Sequence, residues 1–295
     1  MDNIIYLSPM PEYDAYGIEE QQIKELIAHG KTPQILFSPS TLKQFGQTSD
    51  RQSAPTIAFV MGIEDGKFLI KKEYAQDLIQ TGSKIKFLIP DINADLKDVH
   101  GLVLPDRLGK SWSHICLATN KKNCTKVLDW FYEDLIKQAE KNNIPILAFA
   151  DGAQIIGNIH NFLIPEPPGI KLGVEKREGI TIYPESELYQ ILGYSRKLKI
   201  RTNKTAPRVN PTVKQDFKIY AVTDDGYPQA WGSALKNIMC LQWKPEDSES
   251  DSRTNMESIY SWLANKAKTY QKRSRTVTPS EARGRVASDS SERAR

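Results

Sequence analysis

Residues 146–154, ILAFADGAQ, run apolar for four positions, stop at a small polar corner, and resume as the helical IIG. A strand that turns this sharply into a helix presents its apex residue at the carboxyl edge of an open parallel sheet, where ligands bind. Such a turn needs small residues two positions either side of the apex, because side chains there collide with the crossing strand and helix. Ala148 and Gly152 meet that need and leave Ala150 at the apex.

Outward from this corner the pattern repeats. TIAFVMG, IKFLIP, HGLVLP and IPILAFA read as buried strands, with FLIKKEYAQDLIQTG and VLDWFYEDLIKQAEKNN as helices between them. Strands separated by helices of this length imply parallel pairing through crossovers, so the expected class is α/β. The stretch 179–243 has more β character, in GITIYP, KLKIRT, DFKIYAVT, YPQAWGS and IMCLQW, before a final helix at MESIYSWLANKAKTYQ.

Three segments are expected: an N-terminal extension over 1–52 with one helix and a linker, a main domain over 53–271, and a basic tail over 272–295. The helix of the first segment is GIEEQQIKELIAHG, whose Ile18, Ile23, Leu26 and Ile27 share a face and whose Gly30 suits a C-cap. The tail carries seven Lys/Arg against three acids, so the whole net charge of +4 resides there and the rest of the chain is neutral. With no aromatic residue, Ile or Leu, the tail cannot bury enough apolar surface to offset its chain entropy and is expected to be disordered. A solvated tail without a task, an interaction arm and a C-terminal export signal are all open readings of it.

At 39% apolar residues over 295 positions the chain supports a sizeable core. No run approaches the roughly 18 apolar residues a membrane span needs, and MDNIIYLSPMPEYD lacks the pattern of a signal peptide. A cytoplasmic protein is the expectation, with export through the C-terminal segment as its variant. Three cysteines and four histidines, scattered, fit neither a disulfide framework nor a metal site, and no cofactor is expected.

The order of motifs resembles the class I glutamine amidotransferase-like superfamily, and within it the gamma-glutamyl hydrolases that act on gamma-glutamyl-gamma-aminobutyrate. PILAFADGAQIIGN matches the nucleophile elbow, APTIAFVMG the first strand, YAQDLIQTGSKIKFLIP the following helix–strand unit, VHGLVLP the next strand and CLQWKPE the late Q-W-H-P-E motif. The resemblance covers about residues 53–265 and implies a flavodoxin-like, mostly parallel sheet flanked by helices.

It also implies that the catalytic machinery is gone. The family's nucleophilic cysteine falls on Ala150 and its general-base histidine on Lys244, while the orienting glutamate survives as Glu246. Amide hydrolysis through cysteine requires a thiolate and an imidazole to protonate the leaving amine; a methyl group supplies neither. Where relatives have glycines that line an oxyanion hole, VLP is followed here by Asp106 and Arg107, and a carboxylate there repels developing negative charge. Asp151 replaces the usual arginine. One engineered change would account for Ala150 but not for Lys244, Asp106, Arg107 and Asp151 as well.

Two classes of function follow. The first is a pseudoenzyme retained for binding or regulation, with Asp106, Arg107, Asp151, Gln154, Arg201 and Lys204 as candidate binding residues. The second is an enzyme of altered chemistry that uses Asp106, Asp151, Lys244 and Glu246. Arg201 and Lys204 belong to a basic run, Arg196, Lys197, Lys199, Arg201, Lys204 and Arg208, read either as a solvated strand and loop or as a surface for an acidic or phosphorylated ligand or protein partner. No aromatic residues interleave it, which disfavours nucleic acid.

Overall fold

The computed structural model describes residues 3–46, 53–89, 95–106, 124–164, 176–202, 208–209, 216–243 and 250–276. The chain begins with β1 (Ile4–Met10), β2 (Ala15–Glu19), α1 (Glu20–Ala28), β3 (Gln34–Phe37) and α2 (Pro39–Gln44). Next come β4 (Thr56–Val60), β5 (Gly62–Glu64), β6 (Lys67–Lys71), α3 (Lys72–Gln80), β7 (Lys84–Leu88) and β8 (Gly101–Leu104). The middle holds α4 (Cys124–Lys141), β9 (Ile146–Phe149), α5 (Ala150–Ile159) and β10 (Leu163–Ile164). The last part is β11 (Lys176–Ile182), α6 (Glu187–Ile191), β12 (Lys197–Thr202), β13 (Arg208–Val209), β14 (Lys218–Thr223), β15 (Pro228–Ser233), β16 (Ile238–Leu241) and α7 (Ser250–Thr276).

A nine-stranded sheet in the order β12-β11-β14-β15-β16-β9-β8-β4-β7 organises the molecule. From β16 to β7 every pairing is parallel, and from β12 to β16 every pairing is antiparallel. The β-rich C-terminal portion therefore extends the parallel half instead of forming a layer of its own. Strands of the parallel half are buried on both faces, as crossover helices require: Ile57, Phe59, Leu102, Leu104, Ile146 and Leu147 are all fully buried. One face packs on α4 and α5 through Tyr132, Leu135, Ile136, Ala153 and Ile156. The other packs on α3, α6 and α7 through Tyr74, Leu78, Leu188, Ile259 and Leu263.

The first 46 residues depart from expectation. Helix α1 is present, but it lies among strands of a second sheet, β3-β1-β2-β6-β5, and the short α2 follows, capped by the Ser38 hydroxyl, which accepts from the Thr41 N–H at 3.0 Å. This sheet crosses the expected boundary at residue 52, because its β5–β6 hairpin follows directly on β4. Asp65 and Gly66, both at positive φ (48° and 74°), make the tight hairpin turn. Phe68–Lys71, expected to open a helix, is thus strand β6. A Cβ on Gly17 of β2 would lie 2.5 Å from Leu69 and 2.7 Å from the Phe68 carbonyl, so the neighbouring strand requires glycine there. Leu7, Tyr16, Ile18, Ile35 and Phe37 join the same core as Phe59 and Phe87. At the other end, α7 continues through Thr276, past the expected boundary at residue 271. The rest of the tail, 277–295, lies outside the described residues.

Candidate functional site at the β9–α5 elbow

Parallel register assembles the site. Leu104 of β8 pairs with Ala148 of β9, and Leu241 of β16 pairs with Phe149, so the residues just beyond the three strands meet at one point of the carboxyl edge. Two steps past the Leu104–Ala148 pair stand Asp106 and Ala150; one step past the Leu241–Phe149 pair stand Gln242 and Ala150. The apex is flanked by a carboxylate on one side and a carboxamide on the other.

Ala150 has φ +42° and is 8% exposed. The left-handed region costs an L-residue with a side chain about 1–2 kcal/mol, so the surrounding packing must impose the bend. Gly152 accounts for part of that packing: a Cβ there would lie 2.6 Å from the Leu104 carbonyl oxygen and 2.9 Å from its Cβ. Helix α5 therefore starts in backbone contact with β8. No side chain of its N-cap residue, Phe149, accepts from the first turn.

The acceptor comes from another strand. The Asp151 N–H donates to Asp106 Oδ1 at 3.5 Å, a long bond whose geometry is favoured by the positive end of the α5 dipole. Asp106 is only 9% exposed. Its position is supported from α4, where the buried Tyr132 hydroxyl donates to the Pro105 carbonyl at 3.4 Å. The N–H of the residue after an elbow apex is the group that meets the oxyanion in hydrolases of this geometry. Here the protein's own carboxylate stands against it.

One turn along α5, Gln154 Nε2 donates to Gln242 Oε1 at 3.1 Å. Gln242 is tied to β15 by its N–H, which donates to the Gln229 carbonyl at 2.8 Å, and its own Nε2 is buried with no partner among the described residues. Gln242 does not stand out in the sequence, although it lies within the CLQWKPE motif that carries the resemblance. Its role emerges only from the β16–β9 register.

The structure thus brings together Ala150, Asp106, Asp151 and Gln154. Arg107, Lys204, Lys244 and Glu246 lie outside the described residues. Arg201 belongs to β12, five strand positions from β9, which at the spacing of a sheet is about 24 Å away. It cannot serve the elbow. A group of His, Cys, Asp and Glu suited to hold a metal does not occur among the described residues. No helix among them is long and apolar enough to cross a membrane. A cavity of about 1150 Å³ lies at the opposite end of the sheet, lined by Pro145, Asn237, Trp262 and Lys266.

Neither a family model nor a curated protein matches this sequence. Solved structures match its backbone. A GMP synthase-like protein of Thermoplasma acidophilum superposes with a TM-score of 0.53 at 16% identity, over 76% of this chain and 99% of that one. A glutamine amidotransferase of Thermotoga maritima gives 0.52 at 11% identity, over 73% and 99%. The chain has the class I glutamine amidotransferase-like α/β fold.

Proposed function

We propose that this protein is a catalytically inactive member of the glutamine amidotransferase-like fold, related to the gamma-glutamyl hydrolases, that acts by binding a protein or an anionic ligand. The observation that carries the reading is the elbow itself: its bend is kept, its apex is a methyl group, and the amide next to the apex faces Asp106. Acyl transfer needs a nucleophile at the first position and a free donor at the second. Loss of a single oxyanion donor lowers transition-state stabilisation by about 2.7–4 kcal/mol, and absence of the nucleophile removes the covalent route.

The test is a hydrolysis assay with glutamine and with a gamma-glutamyl amide, at high enzyme concentration, read by release of glutamate. No turnover above the buffer rate is expected. Turnover that disappears in Asp106→Asn or Lys244→Met would refute the reading and favour an enzyme of altered chemistry built on Asp106, Asp151, Lys244 and Glu246. That alternative draws its support from the proximity of Asp106 and Asp151 at the elbow.

A further inference from the structure

Among the described residues β12 is the last strand of the nine-stranded sheet on its antiparallel side. Its pairing with β11 sets Lys197 across from Thr181, Lys199 across from Gly179 and Arg201 across from Arg177. Lys197 and Lys199 therefore occupy alternate positions on one side of the strand, about 6.7 Å apart, and the residues across from them, Thr181 and Gly179, carry no carboxylate. Lys197 and Lys199 are exposed, and among the described residues neither forms a salt bridge. A Cβ on Gly179 would meet nothing within 4 Å, so the sheet surface beside Lys199 is open. The opposite edge of the sheet is different: on β7 the Lys86 ammonium donates to the carbonyls of Asp95 at 2.6 Å and Lys97 at 3.4 Å.

The phase of the ladder decides which main-chain groups face outward. The Ile182 N–H donates to the Arg196 carbonyl at 2.9 Å. Hydrogen-bonded pairs recur every second residue in an antiparallel ladder, so Leu198 and Ile200 also direct their main-chain groups to β11. Those of Lys197, Lys199 and Arg201 point to the edge. The Lys197 carbonyl accepts from the Ser195 hydroxyl at 3.0 Å, which leaves Lys199 at the centre of the pairing surface. The other side of β12 is apolar: Ile200 is buried with Ile180 and Ile182, while Leu198, Tyr189 and Ile191 are partly exposed along the rim.

We propose that β12 is a docking edge for an extended segment of a partner protein in which acidic residues alternate with apolar ones, added to the sheet as a further antiparallel strand. Main-chain bonds to Lys199 supply the affinity of strand addition, and alternate side chains supply its specificity. Acidic residues of the segment fall beside Lys197 and Lys199, whose spacing they share, and apolar ones continue the row of Leu198 and Ile200. A nucleic-acid strand fits less well, because Thr181 and Gly179 offer no ring for base stacking. Tyr194, in the turn before β12, packs edge-on to Tyr189 at 5.5 Å instead of covering the cations. Lysines also guard sheet edges against self-association, and the experiment separates that role from docking.

The probe is a fluorescein-labelled peptide of four Glu-Val repeats, titrated with the full chain and read by anisotropy. Controls are a block peptide of the same composition, the alternating peptide N-methylated at its glutamates, and an oligothymidylate of equal charge. In antiparallel addition, the orientation proposed, N-methylation removes the N–H groups that face β12 and leaves the protein untouched. Saturable binding of the alternating peptide is expected, lost on N-methylation and weakened about tenfold or more by Lys197→Glu/Lys199→Glu. Absence of binding, indifference to charge reversal, equal binding of the block or N-methylated peptide, or preference for the oligothymidylate would each overturn the proposal. The titration makes no use of the elbow, so its failure leaves the reading of catalytic inactivity standing.

Discussion

Replacing Gly152 with alanine tests whether α5 really starts in contact with β8. The added Cβ would sit 2.6 Å from the Leu104 carbonyl oxygen and 2.9 Å from Leu104 Cβ, well inside ordinary van der Waals contact at about 3.4 Å or more. Leu104 cannot swing aside. It is fully buried in β8, which is paired with β9 and β4 on its two sides. The obstruction is backbone, so relief requires moving α5 away from the sheet and loosening Ala153 and Ile156. Overpacking of this kind destabilises by about 1–3 kcal/mol, which for a domain of this size lowers Tm by about 2–10 °C. Urea unfolding followed by tryptophan fluorescence suits the measurement, since Trp231 and Trp243 are almost fully buried. Gly179→Ala is the internal control: nothing lies within 4 Å of its Cβ, so stability is expected to change by about 0.5 kcal/mol or less, or to rise. A Gly152→Ala protein as stable as the parent would refute the close approach, and with it the elbow geometry on which the functional reading depends.

Other consequences are as direct. Ala150→Cys is expected to remain inactive toward glutamine, and its thiol, followed by mass spectrometry of the alkylated peptide, to react about three- to tenfold faster once Asp106→Gly removes the nearby carboxylate. His160 Nε2 lies 2.8 Å from Glu140 Oε1, and Lys236 Nζ donates to the same oxygen at 3.2 Å; burial pushes the Glu140 pKa up, but His160 and the Lys236 cation outweigh that and hold it below the usual range. A depressed carboxyl pKa contributes stability above the unfolded value, near 4.3, and loses it as pH falls through the folded value. Glu140→Gln should therefore destabilise by about 1–2 kcal/mol at pH 7, with the difference from the parent shrinking below about pH 4 in acid titrations of urea stability. Cys240 is fully buried and burial pushes its thiol pKa well above the ordinary value, so it should resist dithionitrobenzoate at pH 8 and react only on unfolding.

The parallel half of the fold was legible because β4, β7, β8 and β9 are short closed apolar runs, a signal that needs no knowledge of distant partners. β4, β7, β8 and β9 all fall where TIAFVMG, IKFLIP, HGLVLP and IPILAFA place them. The second sheet was not legible, for a reason visible in β2 and β6. AYGIE runs straight into the amphipathic α1, and FLIK runs straight into α3, so each strand reads as the first turn of the helix that follows. What fixes them as strands is mutual pairing across fifty residues or more, Tyr16 with Ile70 and Ile18 with Phe68. The Asp65–Gly66 turn was the one local clue.

The same distinction between local and distant information divides the site. Ala150 and Gly152 can be read from nine consecutive residues, because a tight strand-to-helix bend constrains its own neighbours. Asp106 was recognisable as a misplaced charge, yet that it faces the Asp151 N–H depends on the pairing of Leu104 with Ala148. Gln242 carries no such local mark, because its neighbour Trp243 is core and its amide matters only where β16 lies beside β9. A carboxylate held at the start of α5 stabilises that helix end by about 0.3–1 kcal/mol whether or not a ligand exists. On the proposed reading no negative charge develops beside the methyl group of Ala150, so Asp106 acts there as a structural cap. Asp106→Asn should therefore lower stability slightly while producing no hydrolysis.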